Sequence, residues 1–181
     1  PAGVGKSRLV QEFVSGLDGG ATVLTGRCLP YGEGITYYPV VESVKQAAGL
    51  ADFDPPEVGE SKVCSVLATD EHQELVCRRV SQLMGIADAG GGEETFWAIR
   101  RFYEAVARER PLVLVFDDVQ WGEPTFLDLL DHVADWSGGS PILLVCMARP
   151  DLLEARPAWG GGKLRASSVS LEPLTEQQTA D

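Results

Sequence analysis

The sequence predicts an α/β domain of three layers, with helices on both faces of a parallel sheet. Two observations carry this. LVLVF (112–116) and ILLVCM (142–147) are unbroken apolar runs, polar on neither face, as strands covered by helices on both sides must be. These runs also alternate with stretches of helical period, strand then helix then strand, rather than clustering as hairpins. With 181 residues the chain suffices for one well-buried domain and is marginal for two, so residues 1–181 read as a single unit.

The elements follow in order. Leu9, Val10, Phe13, Val14 and Leu17 share one face of a helix over 7–17, which Gly19-Gly20 stop. ATVLTGRC (21–28) reads as a strand, and LPYGEGITYYP (29–39) as a loop. VVESVKQAAG (40–49) is helical and ends at Gly49, and Asp54-Pro55-Pro56 breaks the chain. Residues 61–84 form one or two helices with Cys, Val and Leu inward, and 87–94 connect them onward. Residues 94–110 give an amphipathic helix with Phe96, Ile99, Phe102, Tyr103 and Val106 on one stripe, ended by Pro111. After LVLVF comes a helix over 123–136, with Pro124 in its first turn, and then ILLVCM. A last strand is expected within 166–172, and Thr175 caps a final helix. The triple glycines at 90–92 and 160–162 are loops, and residues of about 40–110 form a helical insertion between two core strands.

Composition narrows the functions. At 44% hydrophobic and 23% charged, the chain is an ordinary soluble domain, with no apolar run near the roughly 20 residues of a membrane span. Pro1 leads into glycines and a Lys-Ser pair rather than an apolar signal segment, so a cytoplasmic location and a fragment lacking its initiator Met are expected. A net charge of −12 repels a phosphate backbone, which argues against direct contact with DNA or RNA. Cys28, Cys64, Cys77 and Cys146 lack C-x-x-C spacing and read as reduced, buried thiols.

The chemistry begins at PAGVGKSRLV. Gly3 and Gly5 permit torsions that turn successive N–H groups toward phosphate oxygens. Lys6 places an ammonium on the outer phosphates, the Ser7 hydroxyl is a Mg²⁺ ligand, and the following helix aims its positive end at the same place. The candidate nucleotide-binding set is Ala2, Gly3, Val4, Gly5, Lys6, Ser7 and Arg8. A glycine-rich terminus with an exposed lysine is the plain alternative.

LVLVFDD decides between them. A buried strand ending in Asp117 and Asp118 puts two carboxylates where open α/β sheets bind ligands. Asp117 suits the Mg²⁺ shell, directly or through water, and Asp118 can polarise an attacking water. Past ILLVCM, Arg149 can reach a terminal phosphate, with Arg156 as the alternative. Gln120 can orient water, and Trp121 is expected to pack beneath the site. Tyr31, Tyr37 and Tyr38 line a base pocket or pack the loop, and His72 and His132 read as surface or satisfied helical residues.

AGVGKSRL, GRCLPYGEGITYYP, LVLVFDDVQWGEPT and LLVCMARPDL together resemble the P-loop ATPase domain of the STAND class, in the AAA+-related branch. In particular it is similar to modules in large bacterial LuxR-type transcriptional regulators and beside adenylate/guanylate cyclase domains. It implies a core sheet ordered 5-1-4-3-2, an ATP/ADP·Mg²⁺ ligand, self-association in the ATP state, an output domain in cis and a switch role. Gly3 to Ser7 match the Walker A loop, Asp117 and Asp118 the Walker B pair, and Arg149 the sensor arginine. The loop's first glycine and the first strand would precede Pro1, and the C-terminal helical lid would follow Asp181. The first strand and lid are therefore expected to be missing, and the fragment alone to bind ATP poorly or not fold. ATP over GTP rests on the resemblance, since no base-reading motif is present.

Overall fold

The computed structural model describes residues 4–30, 36–84, 92–161, 163 and 165–172. Its centre is a parallel sheet of three strands, β1 (Thr22–Arg27), β2 (Leu112–Asp117) and β3 (Ile142–Cys146), in the order β1-β2-β3. That order is the one strands 2, 3 and 4 take in a 5-1-4-3-2 sheet, with β1 as strand 2 at its edge. In register, Thr22 lies opposite Leu112, Leu112 opposite Ile142, and Arg27 opposite Asp117.

Alternation on β2 splits the core between two faces. Leu112, Leu114 and Phe116 point to the large face with Leu24, Phe102 and Phe126. Val113 and Val115 point to the other with Met147, Val23 and Val145. Over that second face lies α1 (Lys6–Ser15), touching it through Val10, with Leu17 just beyond the helix. The large face is covered by α2 (Tyr38–Ala48), α5 (Glu93–Val106) and α6 (Pro124–Trp136). The three layers are those the two apolar runs require.

Local signals explain the ends. Pro39 opens α2, and Gly49, at φ 61°, closes it in the left-handed region that glycine takes without strain. Glu93 and Glu94 sit in the first turn of α5, where the helix dipole favours them. Ile99, Phe102 and Tyr103 of its predicted stripe are buried, with Phe96 and Val106 half-buried against the same core. The buried Tyr103 hydroxyl bonds Ser43 of α2 at 2.7 Å.

β1 is an edge strand, and α2 covers its free side. The Gln46 Oε1 accepts the Thr25 N–H at 2.9 Å while its Nε2 donates to the Thr25 carbonyl at 2.8 Å. Glu42 accepts the Arg27 N–H at 2.9 Å. Side chains thus take the place of a missing strand's ladder. Gly26 makes the approach possible, since a Cβ there would stand 2.2 Å from the Pro39 carbonyl oxygen.

The insertion adds α3 (Pro56–Val66) and α4 (Gln73–Met84), so residues 61–84 form parts of two helices. Asp70, between them, has a fully buried carboxylate bonded to Arg101 at 2.8 Å and Arg108 at 2.7 Å, which ties this turn to α5. Three expectations need correction. Cys64 and Cys77 form a disulfide rather than free thiols, because the α3–α4 turn brings their Cα atoms within 5.1 Å; only Cys28 and Cys146 are free. No strand forms within 166–172; the described residues there find no ladder, and Val169 is 78% exposed. A short helix not expected from the sequence, α7 (Asp151–Ala155), follows β3. Thr175 lies outside the described residues. No described helix is long and apolar enough to cross a membrane.

Candidate functional site

Because all three strands run parallel, Arg27, Asp117 and Cys146 finish at one edge of the sheet. The direction of α1 places its start there too. Phe13 and Leu17 line a groove of about 470 Å³ with Pro111, Ile142 and Leu143, at the strands' amino ends. The helix therefore runs back against the strands, and its first residue, Lys6, faces their carboxyl ends. Gly5 precedes it at φ 90°, a left-handed torsion, and no side chain caps the helix start. Val4 and Lys6 are half-buried, and Ser7 and Arg8 are exposed. Ala2 and Gly3 lie outside the described residues.

Both acids end β2 half-buried. One oxygen of the Asp117 carboxylate, Oδ1, accepts the Asp118 N–H at 2.8 Å. Asp118 has φ 55°, uncommon for a residue with a side chain but best tolerated by Asp and Asn. That torsion turns its carboxylate into a cage. Gln120 Nε2 donates to Oδ1 at 3.0 Å, and Arg27 donates to Oδ2 from Nε at 3.1 Å and Nη2 at 2.9 Å. Burial alone would raise the Asp118 carboxyl. The bonds from Gln120 and Arg27, with the charges of Arg27 and Arg149, outweigh it and hold the group below the usual carboxylate range. Nearby, burial first and then the charges of Asp118, Asp117 and Glu42 push the Cys28 thiol up to about 12, which leaves it inert as a nucleophile.

The 3₁₀ turn Val119–Trp121 joins this cage to the end of β3. The Val119 N–H donates to the Met147 carbonyl at 3.0 Å, and the Gln120 Oε1 accepts the Arg149 N–H at 3.0 Å. The Arg149 guanidinium lies over the Trp121 ring, 5.9 Å from its centre. Trp121 is 44% exposed, so it flanks the site rather than packing beneath it. Gln120 uses both ends of its amide on protein groups, which leaves it bridging rather than orienting water. Arg156 is committed elsewhere, bonding Asp128 at 2.7 Å and the Pro124 carbonyl at 3.2 Å on α6. Of the two arginines, Arg149 is the one beside the acidic pair.

The remaining candidates scatter. Tyr37 is buried in the core, Tyr38 is exposed at the start of α2, and Tyr31 lies outside the described residues. The Thr36 hydroxyl bonds Glu123, tying the end of the β1–α2 loop to the turn before α6. His72 precedes α4 rather than lying on a helix, edge-on to Trp97, while His132 sits between Phe96 and Trp136. Sequence reasoning missed Arg27. Only the register that sets it opposite Asp117 exposes its role, although an arginine closing a strand is a signal that could have been followed.

The comparisons add what geometry cannot. A profile described as AAA ATPase domain matches residues 1–145. The chain belongs to this AAA ATPase domain family. It is 30% identical over 159 residues to an uncharacterized protein of Rhizobium meliloti (strain 1021), an alignment covering 82% of this chain and 16% of that protein. The chain thus spans about a sixth of the length of the relative it matches. No solved structure gives a significant match.

Membership in the AAA ATPase family implies a nucleotide ligand, typically with Mg²⁺. The donor set is of the right chemistry: an uncapped helix start with its N–H groups free of side-chain partners, an ammonium, a hydroxyl and a carboxylate at one edge of the sheet.

Proposed function

We propose that this AAA ATPase domain is a slowly hydrolysing ATP switch within a larger bacterial protein of signalling or transcriptional control, of the STAND kind found in LuxR-type regulators and beside cyclase domains. In this reading residues 1–181 are one cytoplasmic ATPase domain. Gly3, Gly5 and the N–H groups at the start of α1 cradle the phosphates, with Ala2, Val4 and Arg8 beside them, and Lys6 neutralises the outer phosphates. Ser7 and Asp117 hold Mg²⁺, which when bound withdraws charge from the phosphate oxygens. Asp118 polarises the water that attacks the terminal phosphorus as the bond to the ADP oxygen breaks, and Arg149 senses that phosphate.

The observation that carries the switch reading is the cage around Asp118. With Oδ1 taken by Gln120 and Oδ2 by Arg27, the carboxylate is a weak base with no oxygen left unpartnered, which suits slow turnover. Self-association in the ATP state and control of an output domain in cis belong to the same reading. The test is steady-state phosphate release by the full-length protein, with its sedimentation in ATP and in ADP. Slow release with nucleotide-dependent association fits a switch. Rapid turnover would mark a motor, and binding without cleavage a scaffold.

A further inference from the structure

We propose that Gln120 is a positioning residue, a strut that fixes the Asp118 carboxylate and the Arg149 main chain relative to one another. It touches no substrate in this role; it acts through the two residues it joins. The kinetic part of the proposal rests on the hydrolysis reading above, and the geometric part does not.

The two ends of one amide do different work. Nε2 reaches the end of β2 through Asp118 Oδ1, and Oε1 reaches the segment after β3 through the Arg149 N–H, each at 3.0 Å. An amide is the side chain that can do both, since it carries a donor and an acceptor on one rigid plane. Among the described residues, the other hydrogen bonds joining the two strand ends here are main-chain bonds at Val119 and Met147, short of both functional side chains. The next residue completes the arrangement. Trp121 lies under the Arg149 guanidinium, so adjacent positions of one 3₁₀ turn hold that arginine's main chain and its head group. A displacement of Arg149 therefore pulls on the bond that orients Asp118, and the reverse. The charged groups acting on that carboxylate include Arg27 and Arg149.

Two substitutions in the full-length protein separate the two bonds. Gln120→Ala removes both. Amide hydrogen exchange at 147–151, followed by mass spectrometry, should then speed up, because the Arg149 N–H loses its acceptor. In the same variant kcat for ATP should fall about tenfold or more while KM stays within about threefold. Gln120→Glu keeps an acceptor for Arg149 and sets a second carboxylate against Asp118. Its exchange should match the parent, while its kcat falls about tenfold or more with KM within about threefold, because the Asp118 Oδ1 has still lost its donor. Exchange and kinetics unchanged in Gln120→Ala would overturn the strut. If exchange rises as expected but the parent protein cleaves no ATP, the strut stands and the hydrolysis reading falls.

Discussion

Replacing Asp118 by Asn separates chemistry from folding. The parent carboxylate accepts three hydrogen bonds, two from Arg27 on Oδ2 and one from Gln120 on Oδ1. An Asn at this position has one oxygen. If that oxygen faces Arg27, its NH₂ group confronts the Gln120 NH₂. If Gln120 then flips to accept, its own NH₂ turns toward the Arg149 N–H. At least one bond is lost in every arrangement, and with Asp118 about 22% exposed the least costly loss lowers stability by about 1 kcal/mol. The catalytic loss is larger. If Asp118 takes a proton in the transition state, as proposed, its removal lowers turnover about 10² to 10⁴-fold, or about 3–5.5 kcal/mol of barrier. Phosphate release at saturating ATP, set beside equilibrium ATP binding, measures both. We expect binding within about threefold of the parent and kcat down at least about a hundredfold. A variant with parental kcat would refute the assignment of Asp118, and one that no longer folds would refute the reasoning on its bonds.

Other predictions concern the frame that holds the site. Asp70→Asn should destabilise the domain by about 3 kcal/mol, the low end for breaking a buried ion pair, because Arg101 and Arg108 keep some access to water. Burial raises the Asp70 carboxyl, but the His72 N–H and the two arginines hold it below the ordinary range. Its stabilisation is therefore present above the unfolded carboxylate value and fades as pH falls through the depressed folded value, so chemical denaturation of parent and variant should converge in acid. Gly26→Ala should cost about 1–3 kcal/mol and loosen α2 from β1, seen as faster amide exchange at Thr25, because the new methyl meets the Pro39 carbonyl. Tyr103→Phe should cost about 1–2 kcal/mol in thermal or urea unfolding, by stripping the Ser43 hydroxyl of a buried partner.

Much of the fold could be read directly, because burial on both faces leaves a compositional trace. LVLVF and ILLVC are strands where the apolar runs fall, and the stripe of α5 packs inward. The acidic pair at the end of LVLVF was legible for the same reason, since the run fixes where the strand stops. The cage around Asp118 was not. Arg27 and Asp118 lie 91 positions apart, and only the pairing of β1 with β2 brings them together. Likewise, nothing in Val-Gln-Trp reveals a 3₁₀ turn whose glutamine spans two strand ends. The α3–α4 disulfide was hidden because a spacing of 13 matches no motif and depends on how two helices turn. The strand expected in 166–172 failed the other way, because a strand exists only with a partner for its backbone and these residues find none.

Nucleotide binding by the full-length protein, compared with its Lys6→Ala variant, tests the central claim most directly. If the site lies between the start of α1 and the end of β2, removing the Lys6 ammonium should weaken ATP·Mg²⁺ binding by about tenfold or more, the loss of one charge-assisted contact to phosphate. A Lys6→Ala protein that binds ATP as tightly as its parent would contradict the account and move the nucleotide elsewhere.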